Sequence, residues 1–218
     1  YDIFVRERKL SLEGERFPGW MQPIDQFSNF TQFLAQLGSG RSAQPFTTVK
    51  DYDNWLLRAN AAPALFDTAI ANMREGMKTG VVQPKVLMVK VLPQLESFIK
   101  GKTESSVFWG PITNLPKEFS DADKTRFTAA YRTLIEAQIT PAYQRLHAFI
   151  KDEYLPACRD SVAFSALPDG EAWYAFNAKT NTTTDLTPAA IHQIGLDEVA
   201  RIQGEMRAVM QEVKFKGD

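Results

Sequence analysis

LPDGEAWYAFNAKTNTTTDLTPAAIHQIGLDEVARIQGEMRAVMQEV, residues 167 to 213, holds the longest uninterrupted helical pattern in the chain with a clear start signal. Thr187-Pro188 opens its main helix. The threonine hydroxyl can accept a free amide at the N-cap, and proline at the first helical position gives up no hydrogen bond. Ile191, Ile194, Val199, Ile202, Met206, Val209 and Val213 then recur at about 100° per residue, which predicts one buried face. Glu198 and Glu205 project from the same stripe, and Gly195 removes a side chain from it, so that another helix could approach closely.

The rest of the chain repeats this helical pattern. Residues 1–16 fit a helix only loosely, through Ile3, Phe4, Leu10 and Leu12, and Phe17-Pro18-Gly19-Trp20 reads as a turn. Phe27, Phe30, Phe33, Leu34 and Leu37 predict a second helix that Gly38-Ser39-Gly40 stops. Thr48-Val49-Lys50-Asp51 has the form of a capping box. The long helix it opens, carrying Tyr52, Trp55, Phe66, Ile70 and Met73, is expected to kink at Pro63 and to end at Gly80 after Lys78. Pro84 starts a helix with Val89, Leu92, Leu95, Phe98 and Ile99 inward. Residues 101–119 form an apolar, ordered loop, and Ser120-Asp121-Ala122-Asp123 opens a further helix that Pro141 should bend. A shorter helix around Trp173 and Phe176 leads into the polar loop 181–185. Only Val81-Val82 and Val107-Phe108-Trp109 resemble strands. The expected fold is all-α, a bundle-like set of long antiparallel helices with proline kinks, forming a single helical region over residues 1–218.

Charge is nearly balanced, 25 Lys and Arg against 26 Asp and Glu, so no global field recruits nucleic acid or an anionic membrane. The one cysteine, Cys158, has no internal disulfide partner and no zinc-type spacing. No run approaches a membrane span of about 18 apolar residues. The sequence begins at Tyr1 rather than Met, as expected of an excised or processed piece.

Chemistry would start from the two histidines, His147 and His192, but neither has a second histidine four residues away on its helix, so no metal site is expected within the chain. Each reads as a hydrogen-bonded structural histidine. Ser97-Phe98-Ile99-Lys100 and Lys78-Thr79-Gly80 match pieces of the penicillin-recognising motif set in reversed order and without its S-D-N element. Gly101-Lys102-Thr103 has the end of a phosphate loop, with Glu96 where the first glycine belongs. Glu198 and Glu205 carry two readings, a structural one (an interhelical ion pair or a carboxylate bonded to loop amides) and a functional one (a cleft carboxylate with a raised pKa), since burying an unpartnered carboxylate is costly. Trp173-Tyr174 and Thr182-Thr183-Thr184 read either as core and helix-end residues or as the lining of a cleft. Asn29-Phe30-Thr31 and Asn181-Thr182-Thr183 match the glycosylation sequon.

Leu167-Pro168-Asp169-Gly170 with Trp173-Tyr174, then residues 182–187, then Ile191-His192-Gln193-Ile194-Gly195-Leu196 with Glu198-Val199, resemble the bacterial family called domain of unknown function 885. Arg74-Glu75-Gly76 and Gly80-Val81-Val82-Gln83-Pro84 resemble that family's earlier helices. The resemblance implies a mostly helical, zincin-like metallopeptidase relative, often a lipoprotein of the bacterial envelope. Its zinc motif, an H-E-x-x-H variant, would lie downstream of Asp218. The chain is then expected to be the N-terminal helical part of a longer protein. It would form one wall of a peptide-substrate cleft without catalytic residues or metal ligands of its own, while zinc would belong to the full-length protein. A lipid anchor would lie upstream. Tyr174, Thr183 and His192 would approach substrate, and Glu198 would anchor its helix. The alternative is a non-catalytic helical binding or interaction module of the cell envelope.

Overall fold

The computed structural model describes residues 1–27 and 29–217, and among them the fold is all-α with no strand. The chain divides into two compact units, Pro18–Val162 and the pair of segments Tyr1–Phe17 and Ala163–Asp218.

The larger unit is built on three long helices. α1 (Asp2–Gly14) belongs to the other unit; here α2 (Phe30–Gly38) precedes α3 (Val49–Thr79) and α4 (Lys85–Ile99). α3 begins on the expected capping box: Thr48 accepts from the Asp51 amide and the Asp51 carboxylate accepts from that of Thr48. The helix runs without a break past Pro63 and closes on Gly80 in the left-handed region, at φ 79°.

α5 covers residues 121–157 as one composite element, Asp121–Leu134, Thr140–Phe149 and Leu155–Ala157 joined by π segments Ile135–Ile139 and Ile150–Tyr154. Both π segments end two residues before a proline. The Thr140 amide bonds to the Ile135 carbonyl and the Leu155 amide to that of Ile150, just ahead of Pro141 and Pro156. A proline ring clashes with the carbonyl four residues back in an α-helix, and a wider π turn moves that carbonyl aside. The expected bend at Pro141 is thus absorbed by a register change.

Tyr52 meets Phe127, and Arg74 reaches Glu153, so α3 and α5 run parallel. α4 lies antiparallel to α5: Pro84 bridges to Arg159 at one end, and the Phe98 and Tyr143 rings meet at the other. Successive long helices are therefore antiparallel as the sequence implied, and the third returns to the direction of the first. The core between them is aromatic, with Tyr52, Trp55, Phe66, Phe127, Tyr131, Tyr143 and Tyr154 buried. Tyr143 donates to the Thr31 carbonyl at 2.6 Å, and Tyr52 donates to that of Pro111 at 2.9 Å. On α4 the buried residues are Met88, Val91 and Leu95, while Val89 faces outward. Residues 101–119 form the expected ordered connection; Val107–Trp109 is a 3₁₀ turn rather than a strand, and Val81-Val82 leads only to the isolated bridge at Pro84.

The smaller unit contains α1, α6 (Gly170–Thr182) and α7 (Pro188–Glu212). Phe17 stacks on Trp173 with ring centres 5.6 Å apart, and Phe164 meets Trp173 edge-on at 5.2 Å. Gly170 is compulsory at this corner: a β-carbon there would lie 2.3 Å from the Phe164 carbonyl oxygen. α7 begins as expected, with Thr187 accepting from the Ala190 amide at 3.2 Å. Its apolar stripe corrects the sequence reading: Ile194, Val199, Ile202, Met206, Val209 and Val213 are exposed. Periodicity reports that a face needs cover and does not say which residues supply it.

Candidate functional site

The sequence offers no nucleophile paired with a base, so the site is sought where candidate residues meet a concave surface. Thr183 provides that point. It caps α6 in the left-handed region at φ 60°, where its amide bonds to the Lys179 carbonyl at 3.0 Å. The turn is held by its neighbours: Thr182 donates to the Ala178 carbonyl at 2.8 Å, and its hydroxyl lies 2.9 Å from that of Thr184. The threonine run thus satisfies the helix end and also forms the rim of a groove of about 540 Å³ against α1.

The groove is lined by charges of both signs. Asp2, Arg6, Lys9 and Glu13 follow one face of α1 at helical spacing, and Lys179 and Asp185 stand opposite. Lys179 reaches Glu13 at 3.3 Å and Asp185 at 4.0 Å, and Arg6 points at the Lys179 carbonyl at 3.5 Å. Sequence reading missed these α1 residues because it followed apolar periodicity; the spacing Asp2, Arg6, Lys9, Glu13 was the available signal. Such a surface suits polar ligands that present both signs of charge.

The other candidates stand apart from this groove. Tyr174 is half exposed on α6, its ring 6.3 Å from that of Phe164. His192 is exposed in the second turn of α7. Glu198 is exposed and accepts from Arg201 at 2.7 Å, and the same guanidinium reaches Glu205 at 2.7 Å. The expected ion pair exists within one helix, not between two, because the face carrying these carboxylates is uncovered.

His147 in the larger unit is a hydrogen-bonded histidine, 3.3 Å from Glu96. Lys100 foremost, with His147, holds the Glu96 carboxyl below the usual range. Ser97 donates to the Gln94 carbonyl at 2.6 Å and Thr103 to Glu136 at 2.6 Å. Burial pushes the half-buried Cys158 thiol up to about 11. Asn29, in the first sequon, is a buried N-cap whose side chain accepts from the Thr31 and Gln32 amides. Among the described residues no three His, Cys, Asp or Glu side chains converge as a metal site, and no helix is long and apolar enough to cross a membrane.

Comparison with known proteins agrees with this helical scaffold. The chain matches, over residues 1–218, the family described as bacterial protein of unknown function, domain of unknown function 885. No curated protein matches it. It is similar to a crystal structure described as the "putative lipoprotein" from Colwellia psychrerythraea, with a TM-score of 0.78 and 22% identity, covering 89% of this chain and 33% of that one. The chain thus spans about a third of the length of that solved structure. It belongs to domain of unknown function family 885.

Proposed function

We propose that this chain is a non-catalytic helical part of a longer bacterial envelope protein of the lipoprotein type, contributing one wall of a peptide-substrate cleft. The mixed-charge groove between α1 and the end of α6, with Thr183 on its rim, carries the reading. A peptide backbone with a terminal charge or charged side chains would find both signs of partner there. The Colwellia protein's description and its threefold greater length support an envelope protein of which this is one section. Zinc and the acid–base groups of a peptidase would come from outside these 218 residues. In this reading Tyr174 and His192 approach substrate only when further chain closes the cleft.

The test is elemental analysis for zinc and a peptidase assay, made on the full-length protein and on this chain side by side. Stoichiometric zinc and hydrolysis in the full-length protein alone are expected, with hydrolysis reduced by Thr183→Ala and His192→Ala. Neither zinc nor hydrolysis in the full-length protein would overturn the peptidase reading. The remaining reading is then a non-catalytic interaction module of the envelope, which the uncovered apolar face of α7 favours.

A further inference from the structure

α7 is a 25-residue helix with no buried residue, about 37 Å long at 1.5 Å per residue. Its apolar residues are not scattered. Val199, Ile202, Met206, Val209 and Val213 follow one another at intervals of three, four, three and four, the spacing of a coiled-coil seam. Each is 44% to 65% exposed. One row earlier the same register falls on Gly195, where an added β-carbon would meet nothing within 4 Å, leaving room for a large side chain from a partner.

The flanks of the seam differ. Glu198, Glu205 and Glu212 occupy every position on one side, and Leu196, Gln203 and Met210 occupy the other. A second copy of this helix packed antiparallel would set glutamates against glutamates. Packed parallel, it would face them with Leu, Gln and Met. Neither arrangement supplies a cation. A helix with Lys or Arg along the facing flank would complement the row, and Arg201 already shows that Glu198 and Glu205 take guanidinium partners at 2.7 Å. The matched region is 33% of the Colwellia chain, so two thirds of a protein of that length lies outside the similarity and could provide such a helix.

We propose that the α7 seam is the docking surface for an amphipathic helix with a basic flank, contributed by the same polypeptide outside these 218 residues. This rests on the reading of the chain as one section of a longer protein; it does not depend on zinc or on hydrolysis. The test is cysteine labelling with a maleimide, mapped by peptide mass so that Cys158 is read separately. Ile202→Cys and Val209→Cys probe the seam, and Asp197→Cys and Gln211→Cys probe the opposite face. In the 218-residue chain all four should label at similar rates. In the full-length protein the seam pair should slow by about tenfold or more while the outer pair does not change. Combining Glu198→Lys, Glu205→Lys and Glu212→Lys with Ile202→Cys in the full-length protein should restore fast labelling; Glu→Gln at the same three positions should restore it in part.

Equal labelling of both faces in the full-length protein would overturn the proposal. So would seam protection in the 218-residue chain that disappears on dilution, which would identify a second copy as the occupant. Protection that survives the lysine changes would overturn the basic flank. A protected seam in a protein without zinc would leave this inference standing while the peptidase reading falls.

Discussion

Gly76→Ala sets two effects against each other in one helix position. Alanine is favoured over glycine in a helix interior by about 1 kcal/mol. At Gly76, however, the new β-carbon would lie 2.4 Å from the Val81 carbonyl oxygen and 3.2 Å from the Met21 β-carbon. Both neighbours are held: the Val81 amide bonds to the Gly76 carbonyl at 2.9 Å, and Met21 and Val81 are buried. Relief requires moving the α3 terminus away from the 80–84 turn, an overpacking cost of roughly 1 to 3 kcal/mol plus weakening of that hydrogen bond by about 1. The clash wins, by about 1 to 3 kcal/mol. At roughly 2–4 °C per kcal/mol for a domain of this size, melting should fall by about 2 to 12 °C. The assay is thermal unfolding followed by tryptophan fluorescence, since Trp55 and Trp109 are buried in the same unit. Gly204→Ala is the control, because a β-carbon there meets nothing within 4 Å; it should increase hydrogen-exchange protection of α7. A Gly76→Ala protein that melts at or above the parent temperature would refute the reasoning.

Tyr154→Phe should destabilise the larger unit by about 1 to 2 kcal/mol in urea unfolding, since the buried hydroxyl accepts the Gln83 amide at 3.0 Å and its loss leaves that donor unsatisfied. Asp51→Asn should flatten the acid limb of the stability profile. The Thr48 backbone amide foremost, then the Thr48 and Thr47 hydroxyls and the Thr47 amide, hold the Asp51 carboxyl below its usual value of 3.8. A depressed carboxyl contributes stability above the unfolded pKa and loses it as pH falls through the folded one. Parent and variant melting temperatures should therefore differ at pH 6 and converge below pH 3.8; a constant difference would refute the assignment. Cys158, pushed up to about 11 by burial, should react with a thiol reagent at pH 8 far more slowly in the native protein than after unfolding.

Helix starts were legible because a cap is a local bargain between neighbours. The box at Thr48, the Ser120 cap and the Thr187-Pro188 start each need only three or four consecutive residues; the first forms in full, and at Ser120 and Thr187 the side chain caps the helix, with Asp123 taking the Ser120 hydroxyl in place of its amide. Choice of face was legible only where polar residues marked the outside. α4, KVLMVKVLPQLESFI, is apolar nearly all round, so periodicity could not separate Val89, which is exposed, from Met88 and Val91, which are buried. The π segments before Pro141 and Pro156 were illegible for a different reason: proline announces a conflict with the carbonyl behind it, but kink, break and register change all relieve that conflict. At the candidate site, Thr183 was legible from its polar loop. The charged face of α1 was not, because charges at helical spacing usually mean only a solvated surface.

Three of the words that pointed to a family have structural causes, and this bears on what the family resemblance can carry. Gly170 of the Leu-Pro-Asp-Gly word is forced by the approach of the 164–165 backbone, and Gly76 of Arg-Glu-Gly by the Val81 carbonyl. In Gly-Val-Val-Gln-Pro, Gly80 takes the left-handed cap, the Val82 carbonyl accepts from the Arg159 side chain, the Gln83 carbonyl accepts from the Arg159 amide, and the Gln83 amide donates to the Tyr154 hydroxyl. Each of these three words fixes a place where two backbones or a backbone and a buried ring must meet. A sequence that keeps them keeps the scaffold, whatever reaction the scaffold serves. For these three words the family assignment and the fold stand on the same residues, whereas the words at residues 182–187 and at 191–196 with Glu198-Val199 fall on the rim of the charged groove and on the start of the α7 seam, and it is there that the chemistry has to be argued.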